Sequence, residues 1–169
     1  MIITWIRLRK DCYKLNIDAS FNKFSASWGA ILRNSYGNFV VAACFPIDAG
    51  TAYDAELKAL IWGLSWSIDK GFYPIQVEMD CLELVTHVNR TQWIRAGPSV
   101  LQRVADLLHL HSSSIHHICR EGNQATHLLA THHRLHHTSL SFTSFNSLTH
   151  LIKEIVLLEA TGTQYLRYK

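Results

Sequence analysis

The chain has 169 residues, 48% of them hydrophobic and 11% aromatic, which suits one folded domain with a sizeable core and excludes a disordered polymer. Its formal charge of +3 with histidines neutral excludes a strong basic steering field; nucleic-acid binding is permitted but not required. Cys12, Cys44, Cys81 and Cys119 are scattered with no C-x-x-C pair, so no disulfide framework is expected and the thiols suit a reducing compartment.

The apolar start at residues 1–6 is broken by Arg7, Arg9 and Lys10, too soon for a signal sequence or a membrane span. A soluble intracellular protein, nuclear or cytoplasmic, is the expectation, with an organellar transit peptide left open. After this lead-in, Leu15, Ile17, Ala19 and Phe21 alternate with Asn16, Asp18 and Ser20, the period-two pattern of a strand with one apolar and one polar face. Runs at 28–33 and 39–45, separated by the turn-rich Asn34-Ser-Tyr-Gly-Asn38, complete an antiparallel meander of three strands.

Thr51 and Asp54 resemble a capping box that opens a helix. Leu57, Leu60, Ile61, Leu64 and Ile68 follow at helical spacing until Gly71. Trp62 and Trp66 fall on another side, so this helix is expected to be covered over most of its circumference, with both rings as core packing. Glu56 shares a stripe with Leu60 and Gly63, where an unpaired carboxylate is costly.

Residues 75–80 alternate as a short strand that ends on Asp80 and feeds a helix carrying Leu84, Val85 and Val88. Strand, helix, strand is the crossover unit of a parallel pair, and it puts Asp80 at the carboxyl end of a strand, where α/β sheets bind ligands. A helix starting at Ser99 with Gln102 as reciprocal cap, a weak strand at 115–119, a turn at 120–123 and a helix from Gln124 to about Arg134 follow. The Ser/Thr-rich stretch 138–144 reads as a linker, and Leu148, Leu151, Ile152 and Ile155 as a final amphipathic helix that packs back on the domain or on a partner. The domain thus runs over 14–137, between a lead-in at 1–13 and a tail at 138–169.

Three acids, Asp18, Glu56 and Asp80, each interrupt a segment that otherwise reads as a core element, and such broken local rules concentrate at functional sites. Together they read as a metal site. Singly, Asp80 also reads as an N-cap completed by Glu83, and Glu56 as a first-turn acid facing the helix dipole. His132, His133, His136 and His137 have zinc-like i,i+4 spacing, but without a nearby cysteine or acid they read as a solvated helix face.

The three acid segments, in order and followed by His117-Ile-Cys-Arg-Glu-Gly-Asn123, resemble the ribonuclease H domain in the form common in plant genomes, derived from non-LTR retrotransposon reverse transcriptases. The resemblance spans residues 14–134. It implies an α/β fold, a five-stranded mixed sheet whose first three strands are antiparallel, with helices on both faces. It also implies hydrolysis of the RNA strand of RNA–DNA hybrids with two divalent ions, Mg2+ or alternatively Mn2+, held by clustered carboxylates that relieve the ions' repulsion.

On that resemblance Asp18, Glu56 and Asp80 are catalytic metal ligands, and His117, six residues before Asn123, assists product release or proton movement. Four residues after Asn123 the family usually has a fourth acid, where this chain has His127, a weaker metal ligand that tilts the second position toward manganese. Ala19 replaces the glycine usual after the first acid, a milder change.

Ser20, Asn22, Arg90, Trp93, Arg95 and Asn123 are the expected nucleic-acid contacts, with Arg103 a further basic residue beside Trp93. Recognition by A-form shape rather than base sequence is implied. The chain is therefore expected to be a monomeric hybrid nuclease without a membrane, or alternatively a catalytically inactive nucleic-acid-binding remnant of a retroelement.

Overall fold

The computed structural model describes residues 2–4, 8, 10–94, 99–160 and 164–166. Strands β1 (Ile2–Thr4) and β8 (Gln164–Leu166) pair with each other as an antiparallel ribbon. Between them lie β2 (Tyr13–Asn22), β3 (Ser25–Arg33), β4 (Phe39–Ile47), α1 (Ala52–Asp69), β5 (Ile75–Met79), α2 (Leu82–Ile94), α3 (Ser99–Leu110), β6 (Ser114–His117), α4 (Gln124–His136), β7 (Leu140–Phe142) and α5 (His150–Ala160). The main sheet runs β6-β5-β2-β3-β4-β7. Its β2-β3-β4 meander is antiparallel, and β5 and β6 add in parallel.

The expected five strands are present, and a sixth, β7, extends the β4 edge. It falls inside the stretch expected as a linker: Leu140 and Phe142 alternate with Ser141, and Phe142 is buried. The Ser/Thr content masked a three-residue pattern too short to stand out in sequence, and pairing with β4 supplies the stability that propensity does not.

Each face of the sheet carries its own core. Leu15, Ile17, Ala30, Leu32, Val77 and Met79 pack under α1, α2 and α3, and Ile31, Ala42 and Cys44 pack under α4 and α5, with Phe142 of β7 in the same cluster. The final helix therefore packs back on the domain through Ile152, Ile155 and Val156, with Leu148 just before it in the same cluster, the first of the two outcomes its periodicity allowed.

The polar face of β2 does not meet water. Lys14, Asn16, Asp18 and Ser20 are all buried, because α4 and α5 lie over them. Buried charge needs partners. Lys14 Nζ sits 2.6 Å from Glu78 Oε1, Asn16 donates to Glu78 Oε2 at 3.0 Å, and Arg33 donates to Asn16 Oδ1 at 2.6 Å and to Glu159.

Local rules explain the element ends. The Thr51 hydroxyl accepts from the Asp54 N–H at 3.0 Å, while the Asp54 carboxylate reaches back to the Gly50 N–H. Gly71, at φ 81°, ends the first helix in the left-handed region that favours glycine. Gln102 donates to Asp106 rather than acting as a reciprocal cap, and the side chain of Ser99 lies outside the described residues.

Two aromatic expectations divide. Trp66 is half-buried and meets Trp28 edge-on at 6.1 Å, whereas Trp62 is 57% exposed, so α1 is not covered all round. The histidines of α4 divide as well: His133 is buried and hydrogen-bonds the Thr138 carbonyl, and His132 and His136 lie ring to ring at 4.5 Å.

Candidate metal centre

Two glycines let helices approach β2 from opposite faces. On α1, a Cβ at Gly63 would lie 2.8 Å from Ile17 Cδ1, so the helix rests directly on the strand. Glu56, two turns earlier on the same stripe, is thereby carried to the residue after Ile17. On β3, Gly29 is the register partner of Asp18, and a Cβ there would lie 2.7 Å from the Ala130 nitrogen and 2.8 Å from the Thr126 oxygen. The missing side chain lets the backbone of α4 settle against the sheet beside Asp18.

Asp80 joins from the carboxyl end of β5. The first hydrogen bond of α2 runs from the Val85 N–H to the Cys81 carbonyl, which makes Cys81 the N-cap residue. Asp80, one position earlier, is thus not the cap. One ligand oxygen from each of Asp18, Glu56 and Asp80 lies within 4.8 Å of the others. Among the described residues no fourth His, Cys, Asp or Glu joins this group.

The electrostatics are those of crowded, poorly hydrated acids. Burial pushes the Asp18 carboxyl up to about 6, with Asp80 adding repulsion and a hydrogen bond from His127 acting against it. Burial, then the charges of Asp18 and Asp80, push Glu56 up to about 9, although a hydrogen bond from the Ala19 backbone favours its ionised form. Glu56 Oε2 is buried without a hydrogen-bond partner. An all-oxygen donor set with an orphaned oxygen and mutual repulsion fits a hard divalent cation.

His127, expected as a metal ligand, hydrogen-bonds to one of the acids: its Nδ1 is 2.7 Å from Asp18 Oδ2. That hydrogen bond, more than any other influence, raises the His127 pKa. Asn123 is buried, and its side chain donates to the Ile17 carbonyl at 2.9 Å, tying the start of α4 to β2. It was expected to touch nucleic acid, and its side chain is shielded from solvent.

Ser20 is buried and accepts from Arg134 at 2.7 Å. Asn22 accepts from the Phe24 and Ser25 N–H groups and closes the β2–β3 hairpin. His117 is exposed at the end of β6, in register with Met79 and so beside Asp80, outside the acid group. Arg90 and Arg103 are exposed, whereas the side chain of Trp93 and all of Arg95 lie outside the described residues.

Arg120 is a cation near the acids that the sequence did not signal. It is exposed in the short turn Arg120–Gly122 after β6, and its charge favours the ionised forms of Asp18 and Glu56. In sequence it is one cation in a turn; its position between His117 and Asn123 was the available clue.

Residues 16–133 match the sequence model of the family described as reverse transcriptase-like. No curated protein matches the chain. Among solved structures, ribonuclease H1 from the halophilic archaeon Halobacterium salinarum NRC-1 aligns at 23% identity and TM-score 0.62, covering 75% of this chain and 98% of that one. LC11 ribonuclease H1 in complex with an RNA/DNA hybrid aligns at 19% identity and TM-score 0.60, covering 71% and 94%. The foamy viral protease-reverse transcriptase in complex with RNA/DNA hybrid aligns at 18% identity and TM-score 0.55, covering 72% of this chain and 19% of that one. At these identities the likeness establishes the ribonuclease H-like α/β fold.

Proposed function

Because this chain belongs to the reverse transcriptase-like family and gathers three acids at one end of a ribonuclease H-like sheet, we propose that it is a metal-dependent endonuclease. Its substrate in this reading is the RNA strand of an RNA–DNA hybrid, and its cation magnesium or manganese. The observation that carries the reading is the convergence of Asp18, Glu56 and Asp80 from β2, α1 and the end of β5 to within 4.8 Å. A cation held there supplies Lewis-acid charge that activates water and stabilises the leaving oxygen.

The rest of the chemistry belongs to the chain. Asp18 is fixed from one side by its strand and from the other by His127. Asn123 holds α4 in the register that makes this possible. Arg120 presents a permanent positive charge beside the acids, suited to a phosphate oxygen. Exposed His117, at the rim, is placed to hold or pass on a proton at its imidazole. Two solved structures aligned above contain RNA/DNA hybrids, which supports the choice of substrate class. The order of the acid segments and the His117-to-Asn123 spacing support an origin in a retroelement polyprotein.

Cleavage of an end-labelled hybrid in Mg2+ and then Mn2+ tests this reading, with Asp18→Asn as the control. Metal-dependent cutting of the RNA strand, lost in Asp18→Asn, is the expected result. A folded wild-type protein that cuts in neither ion sinks the enzyme reading. A specific observation favours a second reading, a non-catalytic hybrid-binding remnant: His127 already engages Asp18. Hybrid binding without cleavage, in both ions, distinguishes it.

A further inference from the structure

We propose that the acid cluster of this chain binds one divalent ion rather than two, because His127 occupies the Asp18 oxygen that a second ion needs. The inference rests on reading the cluster as a metal site and concerns how many ions it holds. Two dications in one site sit about 3.5–4 Å apart. A carboxylate that bridges them through both oxygens lends one to each.

Asp18 is the most buried of the three acids and the one set between the other two elements and α4. Its Oδ2 is 2.7 Å from His127 Nδ1. Whichever partner carries it, a proton lies between those atoms, so that oxygen is engaged. What remains is one group of three acids that no fourth His, Cys, Asp or Glu joins among the described residues.

The backbone that carries His127 is held. Its neighbour Thr126 is buried, with a carbonyl that would lie 2.8 Å from a Cβ at Gly29, and Asn123 anchors the start of the helix on Ile17. The imidazole is therefore presented to Asp18 by a packed helix, not by a loop free to withdraw.

Titration of the full chain with Mn2+, counting free ion by electron paramagnetic resonance and repeating with Mg2+ by calorimetry, reads the stoichiometry without any nucleic acid. Wild type is expected to take up one ion per chain. His127→Asp, which adds an acid and releases the Asp18 oxygen, is expected to take up two. The gain in affinity at the second position should be about 10–100-fold, the usual worth of a group that supports a metal site.

Two ions in wild type, or a folded His127→Asp protein that stays at one, overturns the inference and leaves the metal-site reading standing. No ion in folded wild type overturns that reading itself. A thermal melt checks each variant, and if His127→Asp does not fold, the wild-type count decides alone.

Discussion

Arg33, the last residue of β3, donates a hydrogen bond to the carboxylate of Glu159 in the final turn of α5, 126 residues further along the chain, and both side chains are almost wholly shielded from water. The pair sits beside a second one, Lys14 with Glu78, and Asn16 bridges them. Burial pushes the Glu159 carboxyl up and the Lys14 ammonium down, and in each case the opposite charges facing it act against that shift. The tail is thus the lid on a buried charge network. It lies beyond the residues that match the family, which end at 133.

Removing one member of such a network leaves a buried charge without its partner. Glu159→Ala is expected to lose about 3–5 kcal/mol, the range for breaking a buried ion pair. Urea unfolding of the full chain measures it. A loss below about 1 kcal/mol, the range of exposed pairs, would mean that the α5 lid is open in solution.

The metal-free protein should become less stable as pH rises. Asp18 and Glu56 both have folded-state pKa values above their ordinary ones, about 6 against 3.8 and about 9 against 4.5. For such groups stability is fully present below the ordinary value and is lost as pH rises through the folded one. Thermal melts in chelator should therefore shift downward from the ordinary carboxylate range up to about pH 9. Added Mg2+ or Mn2+ should raise the melting temperature more at the alkaline end, where the acids it binds are ionised. A flat chelator profile would show that the acids are not crowded.

Gly29→Ala tests the close approach of α4 to the sheet. Its new methyl would meet the backbone of Ala130 and Thr126, so a shift of the helix is required, at about 1–3 kcal/mol for overpacking. Because His127 and Asn123 ride on that segment, the His127–Asp18 hydrogen bond should weaken too. The His127 imidazole pKa, followed by NMR, is expected to fall toward its ordinary value, since that bond is the main cause of its rise.

Asn123→Ala removes the donor that meets the buried Ile17 carbonyl. Leaving that acceptor unpaired costs about 1–3 kcal/mol. The metal affinity should fall with it, since Ile17 adjoins Asp18. A variant with wild-type stability and unchanged metal binding would deny Asn123 its positioning role.

Trp62→Ala provides the contrast. The ring is mostly in water on α1, so the change should stay within about 0.5 kcal/mol, as for ordinary surface positions. A larger loss, measured by the same urea unfolding, would show that Trp62 is covered in solution.

Much of this protein was legible in its sequence because local chemistry writes it there. Period-two alternation gave β2 and β5, helical spacing gave α1 and α5, and the order of Asp18, Glu56 and Asp80 on those elements announced a site. Three matters depended on packing. The polar side of β2 gives no sign in sequence of being buried, since alternation reports which residues are apolar but not what lies over the others; α4 and α5 cover it, and Arg33 with Glu159 makes that burial tolerable. Leu140 and Phe142 became an edge strand only because β4 was there to pair with. The family resemblance gave His127 as a weak ligand; that its ring lies against Asp18 depends on side-chain-free Gly29, which lets the helix come close. Sequence spacing fixes which residues share an element; which atoms meet across elements is set by how closely the backbones pack.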